Sequence, residues 1–406
     1  MRIRSITYFC NPGWPLDQAK LRTAGSFLAE AKSAFEAEGF EVQSTRLATM
    51  PFLQVVGADK LDETPRLAEA LQEALRSVGI AYACLGPAQP EIAGSYGVIP
   101  EAIAASQDIF FSGMMADTRF GISVSAVQAC AQVVTRCATV TPDGFANLRF
   151  AALANVKPGS PFFPAAYHDV PEPAFAIATE AADLAIEAFA NAKSVTDGQW
   201  GLIAALEENA RRLTVVGDEM SRRHSIVFGG IDFSLAPFPQ EARSIGAALE
   251  RLGAPRVGQH GSLAAAAVLT EAVERARFTH AGFSGLMLPV LEDAVLAQRA
   301  VEGTLTVKDL LLYSAVCGTG LDTVPLPGDT TAEQIAGVLL DISALALRLD
   351  KPLTGRLMPI PGKKVGEATD FHFDYFANSR VMALEAGALQ PPFTETRRFM
   401  LAPRRP

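Results

Sequence analysis

Short apolar runs and amphipathic stretches alternate along this chain. RIRSITYFC (2–10) reads as a first strand, followed by the turn NPGWP. Residues 18–38 are Ala- and Glu-rich and helical, and FEVQSTRLA (40–48) alternates as a strand does. RLAEALQEALRSV (66–78) puts Leu67, Leu71, Leu75 and Val78 on one helical face, and GIAYACLG (79–86) is a nearly all-apolar strand. IFFSG (109–113), LRFAALANV (148–156) and SIVFGGIDFSLAP (225–237) continue the strand series. Helices are predicted at 174–192, 199–222, 262–276, 291–302 and 331–350. Apolar strands alternating with helices call for parallel pairing through helical crossovers, since strands covered on both faces need no polar alternation.

The helix at 331–350 has Asp329 and Thr330 as N-cap candidates and Glu333 in its first turn. Ile335, Val338, Leu339, Ile342, Leu345 and Leu349 form its core stripe. Two Pro-rich segments, 155–173 and 235–244, abut strands and carry charged or His side chains, so they read as functional loops rather than hinges. The expected architecture is therefore one large α/β unit over residues 1–406 with helices outside the sheet. An open doubly wound α/β sheet split into two domains is the alternative.

Composition narrows the class. The chain has 406 residues, 49% of them hydrophobic, and a mean hydropathy of +0.19, which fits a large buried core. No uninterrupted apolar run reaches the roughly 18 residues that a membrane span needs. The N-terminus lacks a signal-peptide h-region, so a cytoplasmic protein is expected. A net charge of -9 leaves no basic stripe for nucleic-acid phosphates. The basic end ETRRFMLAPRRP reads as a short surface tail. Five cysteines, with no CxxC, indicate neither a zinc knuckle nor a disulfide framework.

Reactive side chains concentrate between Tyr313 and Asp374. Cys317 follows the helical stretch TVKDLLLYSAV and precedes Gly318-Thr319-Gly320, so its thiol is sterically open. The helix C-terminus disfavours a thiolate, and a cation such as Lys363 or Lys364 would be needed to activate it. A purely structural thiol is the other reading. Asp322, in GLDT, serves either a turn or proton transfer. PGKKVG (361–366) places Lys363 and Lys364 among glycines at a strand end, as an anion site would, although the Walker A spacing is missing. His168, beside Asp169 on a Pro-rich loop, is either an acid/base candidate or a plain surface histidine.

Asp232 and Ser234 end a very apolar strand, where an unpaired carboxylate would be costly, so Arg356 is a candidate partner and turn capping the alternative. Glu292 and Asp293 read as helix-start residues favoured by the dipole. The remaining histidines (His224, His260, His280, His372) lack HxH or HExxH spacing and give no metal set. An oxygen-rich site built from separated aspartates stays open.

FGGIDFSLAP, SGLMLPVLEDA, CGTGLDTVPLPGDTT, RLMPIPGKKVGEATDF and the SPFFPAAYH loop together resemble a bacterial and archaeal family known only as a domain of unknown function. The resemblance runs from about residue 100 onward, the earlier part matching less clearly. It implies a fold like that of pyruvate formate-lyase, a ten-stranded α/β barrel in two five-stranded halves, and a cytoplasmic homodimer. It also implies a barrel interior with Cys317 on an internal loop. The glycyl-radical motif of such enzymes, Arg-Val-x-Gly, is not kept: Arg380-Val381 runs on as MALEAG.

The expected function is a non-radical enzyme acting on a small anionic metabolite. Cys317 would be nucleophile or acid/base, Asp232, Asp322 or His168 would move protons, and Ser234, Arg356, Lys363 and Lys364 would hold the anion. A metabolite-binding regulatory protein using the same pocket and a metal-dependent hydrolase are the alternatives. No cofactor is assigned.

Overall fold

Arg2–Phe9 is a strand (β1), as its apolar run requires, and ten more follow among the described residues: Thr45–Ala48 (β2), Tyr82–Ala88 (β3), Ile109–Asp117 (β4), Gly121–Ser123 (β5), Phe150–Ala154 (β6), Ala174–Glu180 (β7), Val227–Asp232 (β8), Gly320–Pro327 (β9), Leu353–Ile360 (β10) and Arg398–Phe399 (β11). This computed structural model describes residues 1–92 and 94–404; the last two positions of the basic end, Arg405 and Pro406, lie outside the described residues.

The protein is a mixed α/β structure on an 11-stranded sheet, with the main path β8-β7-β1-β2-β3-β4-β6-β10-β9. β1, β2, β3, β4 and β6 run parallel to one another. β7 with β8, and β9 with β10, form parallel pairs that meet this set antiparallel at β1–β7 and β6–β10. Continuous strand pairing does not close the sheet. Single parallel bridges, Ile231 to His280 and Pro289 to Asp322, tie the 280–289 segment to both outer strands.

Helices cover one face. Leu21, Phe27 and Leu28 of the Gln18–Ala37 helix, Leu67, Leu71 and Leu75 of the Thr64–Ser77 helix, and Ile335, Leu339 and Ile342 of the Ala332–Leu349 helix join Ile3, Ile6 and Leu47 in the main core. The opposite face receives the Pro-rich segment at 155–173 instead of helices. Phe163 and Ala166 pack with Phe9, Ala48, Cys84 and Phe110, while Phe162 and Tyr167 pack with Met114, Leu153 and Met287. Thr7 Oγ1 donates to the Pro161 carbonyl at 3.4 Å, and Cys84 Sγ to that of Pro164 at 3.1 Å. This loop is interior structure.

Several expectations are corrected. The helix expected at 174–192 is a strand for its first seven residues, β7, and a helix only over Ala182–Ala190. AFAIATE is rich in alanine, but pairing with β1 overrides local propensity. The two turns expected between Cys317 and Thr331 enclose a full strand, β9. Pro325 and Pro327 are tolerated there because β9 ends the main path of the sheet, and its outer side makes isolated backbone contacts rather than a continuous ladder that would need their N–H groups. The Val124–Ala138 helix, capped by Ser123, was not anticipated. Thr331, with Gln334 in a capping box, starts the Ala332–Leu349 helix in place of Asp329 or Thr330. The basic end is more than a surface tail: Arg398–Phe399 pairs with β5.

Candidate functional site: two cavities at opposite ends of the sheet

The larger cavity, ≈ 710 Å³, opens where β1 ends at Phe9, β7 begins at Ala174 and Pro352 leads into β10. Cys317, Lys351, Asp350, Lys157 and His168 line it, over a floor that includes Gly282, Gly285 and Gly318. Cys317 sits on the turn after the Val307–Tyr313 helix, its N–H donating to the Tyr313 carbonyl at 2.7 Å. A Cβ on Gly318 would lie 2.9 Å from the Gly285 Cα. Only glycine allows these two backbones to approach so closely, and that approach seats the Cys317 turn in the cavity wall while the residue itself is fully buried against the core, not sterically open as expected.

Lys351 follows the helix C-cap Asp350, which adopts the left-handed conformation at φ 49. Its Nζ donates to the Cys317 carbonyl. Burial pulls the Lys351 ammonium below its ordinary pKa, against the opposing pull of Cys317 and Glu274. Asp350 Oδ1 accepts from Asn155 Nδ2 at 3.0 Å, and Asn155 Oδ1 accepts from Lys157 Nζ at 3.0 Å. Nothing in the sequence pattern singles out Lys351 except a charged Asp-Lys-Pro step wedged between an apolar helix and an apolar strand. His168 is buried, its ring 5.5 Å from that of Phe9 and its Nε2 2.8 Å from the Glu172 carbonyl. A carbonyl only accepts, so Nε2 carries the proton and Nδ1 is left as an acceptor.

The smaller cavity, ≈ 310 Å³, lies at the other strand ends, lined by Arg4, Arg46, Tyr82, Asp232, Ser234 and Arg356 among others. Arg4 and Phe9, on the two linings, are five positions or about 17 Å apart along β1, whereas at the end of β8 the linings meet, Asp232 accepting from Phe283 and Ser284. The buried loop threads between them, with Pro158 and Gly159 at the larger cavity and Pro161 to Phe163 at the smaller.

An ion-pair chain crosses the smaller cavity. Arg356 Nε donates to Asp322 Oδ1 at 2.5 Å and its Nη2 to Glu292 Oε1 at 2.7 Å, and Arg4 donates to the other Glu292 oxygen. Burial works to raise the Glu292 carboxyl, but the Arg4 and Arg356 guanidiniums outweigh it and hold it below the usual range. Burial pushes Asp322 up, against Arg356. Glu292 is thus a buried charge partner, contrary to the helix-start reading. Asp293 does cap the Ala294–Glu302 helix, and it also accepts from Ser244 Oγ at 2.6 Å and Ile245 N at 2.6 Å.

The expected convergence of the site residues does not occur. Cys317 and His168 line the larger cavity, Asp232, Ser234 and Arg356 the smaller, and Asp322 is sealed beneath Arg356. Among the described residues Asp232 pairs with no arginine: its carboxylate accepts from Ser234 Oγ at 2.5 Å and from the N–H groups of Ser234, Phe283 and Ser284 at 3.1, 2.9 and 3.0 Å. It fastens the 282–284 turn to the end of β8, and burial pushes its carboxyl up despite these donors. Lys363 and Lys364 line neither cavity; Lys363 pairs with Asp370 at 3.1 Å. The reason is geometric. Lys351 precedes β10 and Lys363 follows it, and an eight-residue strand separates its ends by about 23 Å. Among the described residues, no three His, Cys, Asp or Glu side chains gather to hold a metal ion.

Fold and cavities define a class: a mixed α/β protein whose sheet carries a buried loop on one face, with a cavity lined by Cys317 and Lys351 at one end of that face and an ion-paired arginine cavity at the other. The chain belongs to an uncharacterised bacterial and archaeal family, described as Uncharacterised ACR (DUF711), which it matches over residues 1–378. The match begins at the first residue, so it takes in the N-terminal part whose motifs looked less clear. A UPF0210 protein of Ruminiclostridium cellulolyticum is 31% identical over 352 residues, 82% of this chain and 77% of the relative. One from Pyrobaculum aerophilum is 33% identical over 385 residues, 88% of this chain and 84% of the relative.

Proposed function

We propose that this protein is an enzyme acting without radical chemistry on a small anionic metabolite in the larger cavity, with Cys317 as nucleophile or acid/base. One observation carries the reading: the thiol-bearing turn and the buried Lys351 amine meet in the wall of a single roomy cavity. A cation beside a thiol favours the thiolate, the role first expected of Lys363 or Lys364. Lys157, whose Nζ is held only by the neutral Asn155 side chain among the described residues, is placed to hold the substrate's anion. His168, with Nδ1 free to accept, is the proton carrier of this reading.

The reading takes the whole chain as one α/β unit and the sheet as a ten-stranded barrel like that of pyruvate formate-lyase. The 280–289 segment would serve as the tenth member, supported by its bridge to each outer strand. A homodimer belongs to the reading through the family resemblance, which supports the expected cytoplasmic location as well. Among the described residues, no helix is long and apolar enough to cross a membrane.

Iodoacetamide labelling at neutral pH tests the proposal. Burial pushes the Cys84 thiol up to about 12 and Cys130 higher still, so both serve as slow internal references. Cys317 should label faster than either, and equal rates would remove the nucleophile. Complete burial of the Cys317 residue favours a second reading, ligand binding without chemistry. Under that reading Cys317→Ala keeps its affinity and the ligand is recovered unchanged.

A further inference from the structure

The smaller cavity holds more positive charge than its ion pairs neutralise. Arg4 and Arg356 are matched by Glu292 and Asp322. Asp232 is filled by four donors, and Asp108 at the rim is engaged by Arg76 at 2.9 Å. Two guanidiniums remain. Arg149 donates to the Ser106 carbonyl at 2.6 Å and has no carboxylate partner among the described residues. Arg46 donates through Nε to Ser44 Oγ at 2.9 Å, and its terminal nitrogens meet no acceptor among the described residues. Its charged end lies 5.0 Å from the Phe163 ring centre and 5.9 Å from that of Tyr82.

Burying unpaired charge is costly, and a guanidinium whose outer edge faces empty space is built to receive a bidentate oxyanion. Burial, with Arg4 next, lowers Arg46 to about 9, and burial lowers Arg149 to about 10, so both stay cationic at neutral pH. Aromatic rings complete the wall: Tyr82, Phe110, Phe145 and Tyr375 face the same space. The ≈ 310 Å³ volume matches the small end of the range for organic ligands.

We infer that the smaller cavity is a second binding site, independent of Cys317, for a small oxyanion carried on a flat apolar body, of the aromatic carboxylate or aryl phosphate class. The Arg46 fork takes the oxyanion, Arg149 adds charge, and the aromatic wall takes the ring. Nothing in this inference requires the larger cavity to be catalytic.

Calorimetric titration of the full chain with benzoate, phenyl phosphate, inorganic phosphate and the neutral isostere benzamide tests it. Benzoate or phenyl phosphate should bind, benzamide should not, and inorganic phosphate should bind more weakly than phenyl phosphate. Arg46→Met should weaken the anion by about tenfold or more, as loss of a bidentate charged contact does. Cys317→Ala should leave it unchanged. Absence of binding by either aromatic anion to the wild type overturns the inference, as does equal affinity in Arg46→Met. Should that variant fail to fold, phenylglyoxal modification of the wild type replaces it. Benzoate should protect Arg46 in peptide maps, and modification indifferent to both benzoate and phenyl phosphate refutes the site.

Discussion

Arg356 donates through Nη2 to Glu292 Oε1 at 2.7 Å, joining β10 to the short turn before the Ala294–Glu302 helix at a point closed to solvent. Removing Arg356 leaves Asp322 as an uncompensated buried charge, and removing Glu292 leaves Arg4 without its carboxylate. Arg356→Met and Glu292→Gln should each lose about 3–5 kcal/mol in denaturant unfolding, whereas breaking a surface pair such as Lys308–Glu385 should leave the midpoint nearly unchanged.

The same glutamate sets an acid limit. Its carboxyl is held in the folded chain below its ordinary value of 4.5. Stability from Glu292 is therefore fully present above about 4.5 and is lost as pH falls through the lowered folded value, where the unfolded chain binds the proton first. Unfolding midpoints of Glu292→Gln should be lower at neutral pH, and should fall less steeply than wild type on acidification.

Lys351 works with the opposite sign. Its ammonium is pulled below the ordinary 10.5, so the folded chain releases the proton before the unfolded chain does. Stability from this group should rise as pH climbs from the lowered value toward 10.5. Lys351→Met should lack that rise. It should also slow carbamidomethylation of Cys317 several-fold at neutral pH, read by mass spectrometry.

Gly318 and Gly285 form the close approach beside the thiol. A methyl at 318 would sit 2.9 Å from the Gly285 Cα, so one backbone must move. Gly318→Ala should cost about 1–3 kcal/mol, as overpacking does, and should change the Cys317 labelling rate. An unaltered rate with unaltered stability would mean that this contact does not position the thiol.

Much of the framework was legible without coordinates. The stripe of Ile335, Leu339 and Ile342 announced a buried helix face, and the apolar runs at Ile109 and Phe150 announced parallel strands covered on both sides. The 174–180 segment was not legible, because alanine-rich letters suit a helix until a partner strand offers them hydrogen bonds. Pro325 and Pro327 hid β9, since proline argues against a strand unless one side is open.

The candidate site divides along the same line. Sequence alone named the candidate residue types and put them near element ends, because periodicity reports which face of an element is buried. Only the tertiary structure decided which end each faces. It put Lys351 rather than Lys363 beside Cys317, sent Glu292 inward to Arg356, and left Arg46 without a carboxylate among the described residues. Strand direction and the threading of the 155–173 loop separate these groups, and both arise from contacts between residues far apart in the chain.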